Sequence, residues 1–247
     1  MGTLRGFPNP PAKDSAGQSP AQSTRSVPRL YLITDRTATG GRPLVDVVAA
    51  ALTGISGSGL HPGDVAVQLR EKDLGGRALT ELGRALRATT AAAGVRLFIN
   101  DRIDVALAVG ADGVHLGGTS LAPAEARAIA PTLAVAVSTH GLADVRAAAV
   151  EPGSAGIAFA VFGPIRDTPS KRAYGPPLGV GALGEAARLD LPLLALGGID
   201  VGDVPEVLAA GAHGVACIRP VMAAGDPAAA VQALCQALFQ GLFQGLC

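Results

Sequence analysis

Cationic and amide side chains gather at the end of one short strand-forming run, residues 67–73, which read Val-Gln-Leu-Arg-Glu-Lys-Asp. Successive side chains of a strand point to opposite faces, so Gln68 and Arg70 share one face, and Lys72 can reach the same place. An amide, a guanidinium and an ammonium at the C-terminal end of a strand suit a polyanion such as pyrophosphate. Taken alone, the run is equally typical of a buried strand followed by a solvated, charged helix start.

Other predicted strands also end in groups that bind phosphate. One candidate anion site draws on the ends of the second, third and sixth predicted strands: Arg70, Lys72, Asn100, Thr168, Ser170 and Lys171. A second candidate anion site combines Gly197 and Gly198 with the backbone around Ile218 and Arg219, because glycines after the seventh strand of a parallel barrel commonly bind phosphate. The glycine pair is also compatible with a simple tight turn between a strand and a helix.

Asp101 and His140 are the candidates for metal binding and proton transfer. Asp101 follows the third predicted strand, and Mg²⁺ typically takes one or two carboxylates and completes its shell with water and substrate phosphate. The alternative role of Asp101 is to cap the helix that begins near Ile103. His140 follows the fifth predicted strand and is a candidate acid or base, with capping or positioning as the alternative. His115 lies within a strand and is expected to be a hydrogen-bonded interior residue.

The composition indicates a core built from Ala, Val, Leu and Ile. Of the 247 residues, 49% are hydrophobic but only 3% are aromatic, which is typical of buried parallel strands covered by Ala-rich helices. The formal net charge is zero, so bulk electrostatics favour neither nucleic acid nor an anionic membrane as a partner. Cys217, Cys235 and Cys247 lack metal-type spacing and are odd in number, which indicates reduced thiols in a cytoplasmic protein. No apolar run reaches the roughly 18 to 20 residues of a membrane helix, and the N-terminus lacks the apolar centre of a signal peptide.

The chain beyond its N-terminal segment alternates predicted strands and helices. Residues 1–28 are rich in Pro, Ser, Gly, Gln and Ala without periodicity, and are interpreted as a disordered leader. The predicted strands cover residues 29–34, 64–70, 95–99, 114–116, 133–137, 155–162, 192–196 and 214–218. Strict alternation with right-handed crossovers predicts an α/β fold, a single (β/α)8 TIM barrel over residues 29–238, followed by a C-terminal tail at 239–247. An open doubly wound sheet would have fewer units and a glycine fingerprint after its first strand.

Sequence blocks between residues 30 and 238 resemble those of one enzyme family, in the same order. The blocks are Tyr-Leu-Ile-Thr-Asp at 31–35, the run at 67–73, Ile-Asn-Asp-Arg at 99–102, Gly-Ala-Asp-Gly-Val-His-Leu at 110–116, Ser-Thr-His at 138–140, Phe-Gly-Pro-Ile at 162–165, Thr-Pro-Ser-Lys at 168–171 and Leu-Gly-Gly-Ile at 196–199. They look like the signature blocks of thiamine phosphate synthase and its paralogue, thiazole tautomerase. The resemblance implies a barrel that joins hydroxymethylpyrimidine diphosphate to thiazole phosphate, with pyrophosphate as the other product.

The resemblance also implies roles for individual residues. The pyrimidine and diphosphate contacts would be Gln68, Arg70, Lys72, Asn100, Thr168, Ser170 and Lys171. Asp101 would be one Mg²⁺ ligand, while Gly198 and Ile218 would contact thiazole phosphate. If pyrophosphate departs from a pyrimidine-stabilised carbocation, stabilisation of its charge matters more than a nucleophile. The groups interpreted as catalytic are therefore the three cations and the hydroxyl near the leaving group: Arg70, Lys72, Lys171 and Ser138.

Two departures from the synthase pattern leave alternatives open. After the block ending at Leu116, the synthase pattern continues Gly-Gln-Glu-Asp with the Asp as a second Mg²⁺ ligand, whereas residues 117–120 read Gly-Gly-Thr-Ser, closer to the tautomerase branch. The tautomerase pattern in turn has His after Phe-Gly, where this chain has Pro164. We favour a transferase of thiamine biosynthesis; the alternatives are a tautomerase-like isomerase and a non-catalytic barrel that binds thiazole phosphate. The sequence leaves open whether the chain forms a homo-oligomer.

Overall fold

Eight parallel strands form a closed barrel in the computed structural model of this protein, which describes residues 27–150, 156–168 and 176–244. The strands are β1 (Leu30–Ile33), β2 (Val65–Leu69), β3 (Arg96–Asn100), β4 (Gly113–Leu116), β5 (Ala134–Thr139), β6 (Ile157–Phe162), β7 (Leu193–Leu196) and β8 (Gly214–Cys217). Each strand pairs with its neighbours in sequence, and β8 closes on β1 with Leu30 opposite Val215. The predicted (β/α)8 TIM barrel is confirmed.

Helices follow the strands and cover the outside of the barrel. In the described ranges the α-helices are α1 (Leu44–Thr53), α2 (Gly76–Ala92), α3 (Ile103–Val109), α4 (Pro123–Ile129), α5 (Leu142–Val150), α6 (Gly179–Ala186), α7 (Val204–Ala209), α8 (Arg219–Met222) and α9 (Pro227–Gln244). The helix predicted over residues 201–210 is divided into a 3-10 turn, Val201–Asp203, and α7, whose first turn contains Pro205. A proline in the first turn fits a new helix start. The sequence pattern does not predict the single turn of α8.

The end of the predicted leader and the start of the predicted C-terminal tail lie within the described residues. Helix α9 runs past residue 238, so the start of the predicted tail continues the last helix of the barrel. Phe239 lies over Gly59, where a Cβ would meet its ring. Of the predicted leader, only residues 27 and 28 lie in the described ranges, and Val27 packs against the interior cluster of the barrel. The rest of the leader stays a prediction.

Side chains fill the barrel interior, so it is a packed core and not a channel. Tyr31, Phe98 and Phe159 pack edge to face, with ring centroids 5.7, 5.1 and 5.5 Å apart in the three pairs. Small residues on other strands make room for these rings: a Cβ at Gly113 would collide with the Phe98 ring. The aromatic cluster occupies the middle of the barrel and leaves its C-terminal end to polar side chains.

A second hydrophobic layer lies between the barrel and its helices. Outward-facing strand residues such as Leu32 and Val67 are fully buried there together with Leu86 of α2. Burial on both faces explains why the strands read as nearly continuous apolar runs.

Cys217 and Cys235 are free and buried, and burial raises their thiol pKa values to about 12 and about 11. None of the described helices is both long and apolar enough to cross a membrane.

Candidate active site

Polar side chains line the interior of the barrel at its C-terminal end. Positions 66, 98 and 136 belong to the interior cluster, and the residues two positions further along the same strands are Gln68, Asn100 and Ser138. Because side chains alternate along a strand, these three share the interior face. Gln68 Nε2 donates a hydrogen bond to Asn100 Oδ1 at 3.4 Å. The structure therefore brings residues from β2, β3 and β5 into one polar layer.

His115 of β4 links two hydroxyl groups in this layer. Its Nε2 lies 2.8 Å from Ser138 Oγ, and its Nδ1 lies 3.3 Å from the Tyr31 hydroxyl. Burial, and secondarily the positive charge of Arg70, lowers the pKa of His115 to about 3, so the ring is neutral near pH 7. The expectation that His115 is a hydrogen-bonded interior residue is confirmed. Arg70 lies two positions beyond Gln68, directly after the last residue of β2, so its side chain starts from the edge of this polar layer.

Arg70 begins the loop after β2, and its backbone is held in place by Thr34. The Arg70 amide donates to Thr34 Oγ1 at 2.9 Å, and the Thr34 hydroxyl donates to Glu71 Oε1 at 2.8 Å. The Arg70 side chain is partly buried, and its guanidinium has no ion-pair partner among the described residues. A guanidinium with a fixed backbone and an uncompensated charge is available to a bound anion.

Glu71 fastens the loop after β2 to the loop after β1. Only 5% of the residue is exposed, and its carboxylate accepts bonds from the Arg36 amide at 3.1 and 3.2 Å, besides the bond from Thr34. The Arg36 guanidinium pairs with Glu71 at 3.5 Å and with Asp73 at 2.5 Å. This Glu71 clamp, formed by Thr34, Arg36, Glu71 and Asp73, fixes the position from which Arg70 reaches toward the barrel mouth.

The cations at the barrel mouth divide into paired and uncompensated groups. Arg36, Arg102 and Arg166 are all engaged with neighbouring carboxylates. Lys72 and Arg219 are exposed after β2 and β8 and, like Arg70, form no ion pair within the described part of the chain. Strand β1 lies between β8 and β2, so the uncompensated positive charge concentrates on one side of the mouth.

Asp101 occupies a strained backbone position just beyond β3. Its φ of +64° lies in the left-handed region that residues other than glycine rarely adopt. The Asp101 amide donates to the carbonyl of His115 at 2.9 Å, which ties it to β4, and the N-cap of α3 is Arg102, not Asp101. Ser120 Oγ accepts from the Gly117 amide at 2.8 Å and so closes the turn after β4. Within the described ranges, no three His, Cys, Asp or Glu side chains form a group that could hold a metal ion.

The glycines after β7 lie under the loop that follows β6. Gly197 and Gly198 have φ values of +103° and +66°. A Cβ at Gly197 would lie 2.7 Å from Pro164 Cα, and a Cβ at Gly198 would lie 2.8 Å from Arg166 Cβ. The Arg166 amide donates to the Gly197 carbonyl at 2.9 Å. The pair is therefore more than a tight turn, because only glycine allows the β6 loop to cross the end of β7 this closely.

Thr168, a predicted member of the first candidate anion site, directly follows a residue that lies against Gly198 of the second site. The carbonyl oxygen of the preceding residue, Asp167, lies 3.2 Å from the Cβ position of Gly198. Thr168 Oγ1 is buried without a hydrogen-bond partner among the described residues, and a buried hydroxyl ordinarily has one. Ser170 and Lys171, the other predicted members of this loop, lie outside the described residues.

His140 is held at the end of β5 by two hydrogen bonds. Its backbone amide donates to Asp144 Oδ2 at 2.7 Å, and its Nδ1 lies 2.8 Å from the Gly163 carbonyl oxygen. A carbonyl oxygen only accepts, so Nδ1 carries the proton and Nε2 is the nitrogen left for other partners. These contacts favour the positioning role that the sequence left open beside the acid or base role.

Comparison with known proteins identifies the family of this barrel. The family model described as thiamine monophosphate synthase matches residues 30–221. This chain belongs to the thiamine monophosphate synthase family. A putative thiamine-phosphate synthase of Geobacter sulfurreducens is 47% identical over 207 residues, which cover 83% of this chain and 92% of that protein. The thiamine-phosphate synthase of Roseiflexus castenholzii is 46% identical over 209 residues, which cover 83% of this chain and 86% of that protein.

A solved structure of the thiamine monophosphate synthase family shares the architecture. Thiamine phosphate pyrophosphorylase from Pyrococcus furiosus is similar with a TM-score of 0.75 and 32% identity, covering 89% of this chain and 98% of that one. The resemblance inferred from the ordered sequence blocks is thus confirmed. The match extends over nearly the whole length of that structure.

The site of this thiamine monophosphate synthase family member contains residues that sequence reasoning missed. Tyr31, Thr34 and Glu71 were not among the predicted site residues, although they hold His115 and Arg70 in place. Strand alternation predicts which face a side chain takes, but it does not predict hydrogen bonds between loops. The sequence feature that could have indicated a role for Glu71 is its place as an acidic residue between the two cations of the run at 67–73.

Proposed function

We propose that this chain joins hydroxymethylpyrimidine diphosphate to thiazole phosphate, forming thiamine phosphate and releasing pyrophosphate. The observation that carries the proposal is the uncompensated guanidinium of Arg70 beside the polar layer of Gln68, Asn100 and Ser138. A diphosphate needs positive charge and hydrogen-bond donors at one place. The relatives named thiamine-phosphate synthase support this choice of substrates.

Departure of the diphosphate is the step that these cations serve. When the bond between the pyrimidine methylene carbon and the diphosphate oxygen breaks, the carbon becomes cationic and the bonding electron pair leaves with the diphosphate. Arg70 and Lys72 are proposed to stabilise that negative charge, with Thr168, Ser170 and Lys171 completing the cradle. Donors already in position for charge that develops in the transition state are usually the largest catalytic contribution.

Thiazole phosphate is proposed to bind at the glycines after β7. The backbone around Gly197, Gly198 and Ile218 would hold its phosphate, and Arg219 adds a positive charge at the start of α8. Anchoring the phosphate there directs the thiazole nitrogen toward the pyrimidine methylene carbon, where the new carbon–nitrogen bond forms. The protein then contributes proximity and orientation, and no side chain has to act as a nucleophile.

Asp101 is proposed as the protein carboxylate that holds Mg²⁺. Its exposed position at the mouth and its left-handed backbone fit a site of one carboxylate, and Mg²⁺ commonly combines one or two carboxylates with substrate phosphates and water. The residues therefore fit a metal ion that binds together with the diphosphate, and those that the structure describes do not form a complete protein cage. When bound, the ion would neutralise part of the diphosphate charge.

Incubation of the purified protein with both substrates and Mg²⁺ tests the proposal. We expect thiamine phosphate and pyrophosphate in equal amounts, measured by chromatography and by a coupled pyrophosphate assay. Isomerisation of thiazole carboxylate phosphate without the pyrimidine substrate would instead support the tautomerase alternative. Binding of thiazole phosphate without turnover of either kind would support the non-catalytic barrel, and either result would overturn the synthase proposal.

A further inference from the structure

Three polar side chains form a connected chain at the top of the packed barrel interior. The Tyr31 hydroxyl contacts His115 Nδ1 at 3.3 Å, and His115 Nε2 contacts Ser138 Oγ at 2.8 Å. Tyr31 is 0% exposed and His115 is 3% exposed, whereas Ser138 is partly exposed. Water therefore cannot complete the hydrogen bonds of Tyr31 and His115, and the two side chains must satisfy each other.

The direction of the hydrogen bonds follows from the Tyr31 hydroxyl. Burial raises the pKa of Tyr31, so the hydroxyl keeps its proton. Among the described residues, His115 Nδ1 is the one hydrogen-bond partner that the hydroxyl has. A buried hydroxyl that fails to donate loses its hydration without replacement, which destabilises the fold. Tyr31 therefore donates its proton to Nδ1, which must then be the unprotonated nitrogen of the ring.

The opposite arrangement leaves a group unsatisfied. If Nδ1 carried the proton, it would donate to the Tyr31 oxygen, and the Tyr31 proton would have no acceptor in the described structure. A neutral imidazole with an accepting Nδ1 carries its proton on Nε2. Nε2 then donates to Ser138 Oγ, which leaves the proton of the Ser138 hydroxyl free for a partner in the barrel mouth.

We infer that Tyr31 and His115 are positioning residues, which hold the Ser138 hydroxyl as a hydrogen-bond donor toward the departing diphosphate. This inference rests on the proposed synthase function. It also excludes His115 as a base that activates Ser138, because the nitrogen next to Ser138 already carries the proton. The hydrogen bond from a donor to the leaving oxygen becomes stronger as negative charge develops on that oxygen. Such a donor therefore raises kcat more than it improves substrate binding.

The protonated nitrogen of His115 can be observed directly in the intact protein. Imidazole ¹⁵N chemical shifts distinguish a nitrogen that carries a proton from one that does not, and the His115→Gln variant assigns the His115 signals among those of the four histidines. At pH 7 without substrates, we expect the proton on Nε2. A proton on Nδ1, or on both nitrogens, would overturn the inference. This readout does not depend on catalysis, so it separates the inference from the synthase proposal.

Matched variants of His115 test the consequence for the reaction. Gln can place an amide N–H near the position of Nε2, whereas Leu fills space without a donor. We expect His115→Gln to retain kcat within about threefold, and His115→Leu to lower kcat more than tenfold with both KM values within about threefold. Ser138→Ala should match His115→Leu, and combining the two should cause no further loss. Retention of full kcat by a folded His115→Leu, or additive losses in the double variant, would refute the positioning role.

Discussion

Replacing Arg70 by Ala removes the uncompensated guanidinium at the barrel mouth and little else. The Arg70 amide that bonds Thr34 Oγ1 at 2.9 Å is retained in the variant, and the side chain has no ion pair among the described residues to lose. The fold should therefore keep its stability within about 1 kcal/mol, as surface substitutions usually do. A hydrogen bond to a charged group contributes about 1.5–3 kcal/mol. Since about 1.4 kcal/mol corresponds to a tenfold change in rate, kcat/KM should fall roughly 10- to 150-fold.

Steady-state kinetics of Arg70→Ala test this expectation against a matched control. Arg84→Ala removes the same side chain from the exposed surface of α2, outside the barrel, and changes the net charge by the same amount. The control should keep kcat/KM within about twofold. Equal rates for Arg70→Ala and the wild type would refute the assignment of Arg70 to the leaving diphosphate. So would equal losses in the two variants, which would indicate an effect of overall charge.

Three further perturbations follow from the site. Glu71→Gln should lower the free energy of unfolding by about 1–3 kcal/mol in urea titrations, because a buried charged acceptor is lost, whereas Asp73→Asn, whose carboxylate is exposed, should change it by less than about 1 kcal/mol. Ser120→Asp should lower the Mg²⁺ concentration that gives the half-maximal rate and should raise that rate, because it adds a carboxylate that can still accept the hydrogen bond from the Gly117 amide. A fall in both Mg²⁺ affinity and rate would contradict the metal assignment of this loop. Burial lowers the pKa of His115 from 6.5 to about 3, so the unfolded chain binds more protons than the folded one between these values, and the protein becomes less stable as the pH is lowered. Between pH 7 and pH 5 the free energy of unfolding of the wild type should therefore fall by about 2 kcal/mol more than that of His115→Gln. Equal losses in the two proteins would contradict a neutral ring.

The barrel could be predicted because its signals are local and repeated. Apolar runs of strand length recur between Ala-rich helical segments, and each run is buried on both faces in the structure. Element ends were harder to predict, since they depend on local contacts. Strand β5 continues through Thr139 because Thr139 and Ser138 still pair with β6, opposite Phe162 and Val161. Their polar side chains had suggested an earlier end of the strand.

Strand alternation accounts for the placement of three of the predicted site residues. Gln68, Asn100 and Ser138 reach one interior layer because each lies at a fixed register from a barrel core residue. The same rule says nothing about residues after the last strand hydrogen bond. The role of Glu71 depends on a contact with Arg36, which is 35 positions away in sequence, and no local pattern encodes that pairing.

The separation of charge in the Glu71 clamp explains how a chain of zero net charge can present a cationic mouth. Glu71 and Asp73 flank Lys72 and follow Arg70 in sequence, so in an extended chain they would offset both cations. In the folded protein Arg36 from the β1 loop takes both carboxylates, at 3.5 and 2.5 Å. Arg36 therefore acts through its ion pairs: by engaging the nearest acids, it leaves the charge of Arg70 uncompensated for an anion. The pairing of β1 with β2 in the barrel places the β1 loop beside the β2 loop, and this lets Arg36 form ion pairs with Glu71 and Asp73.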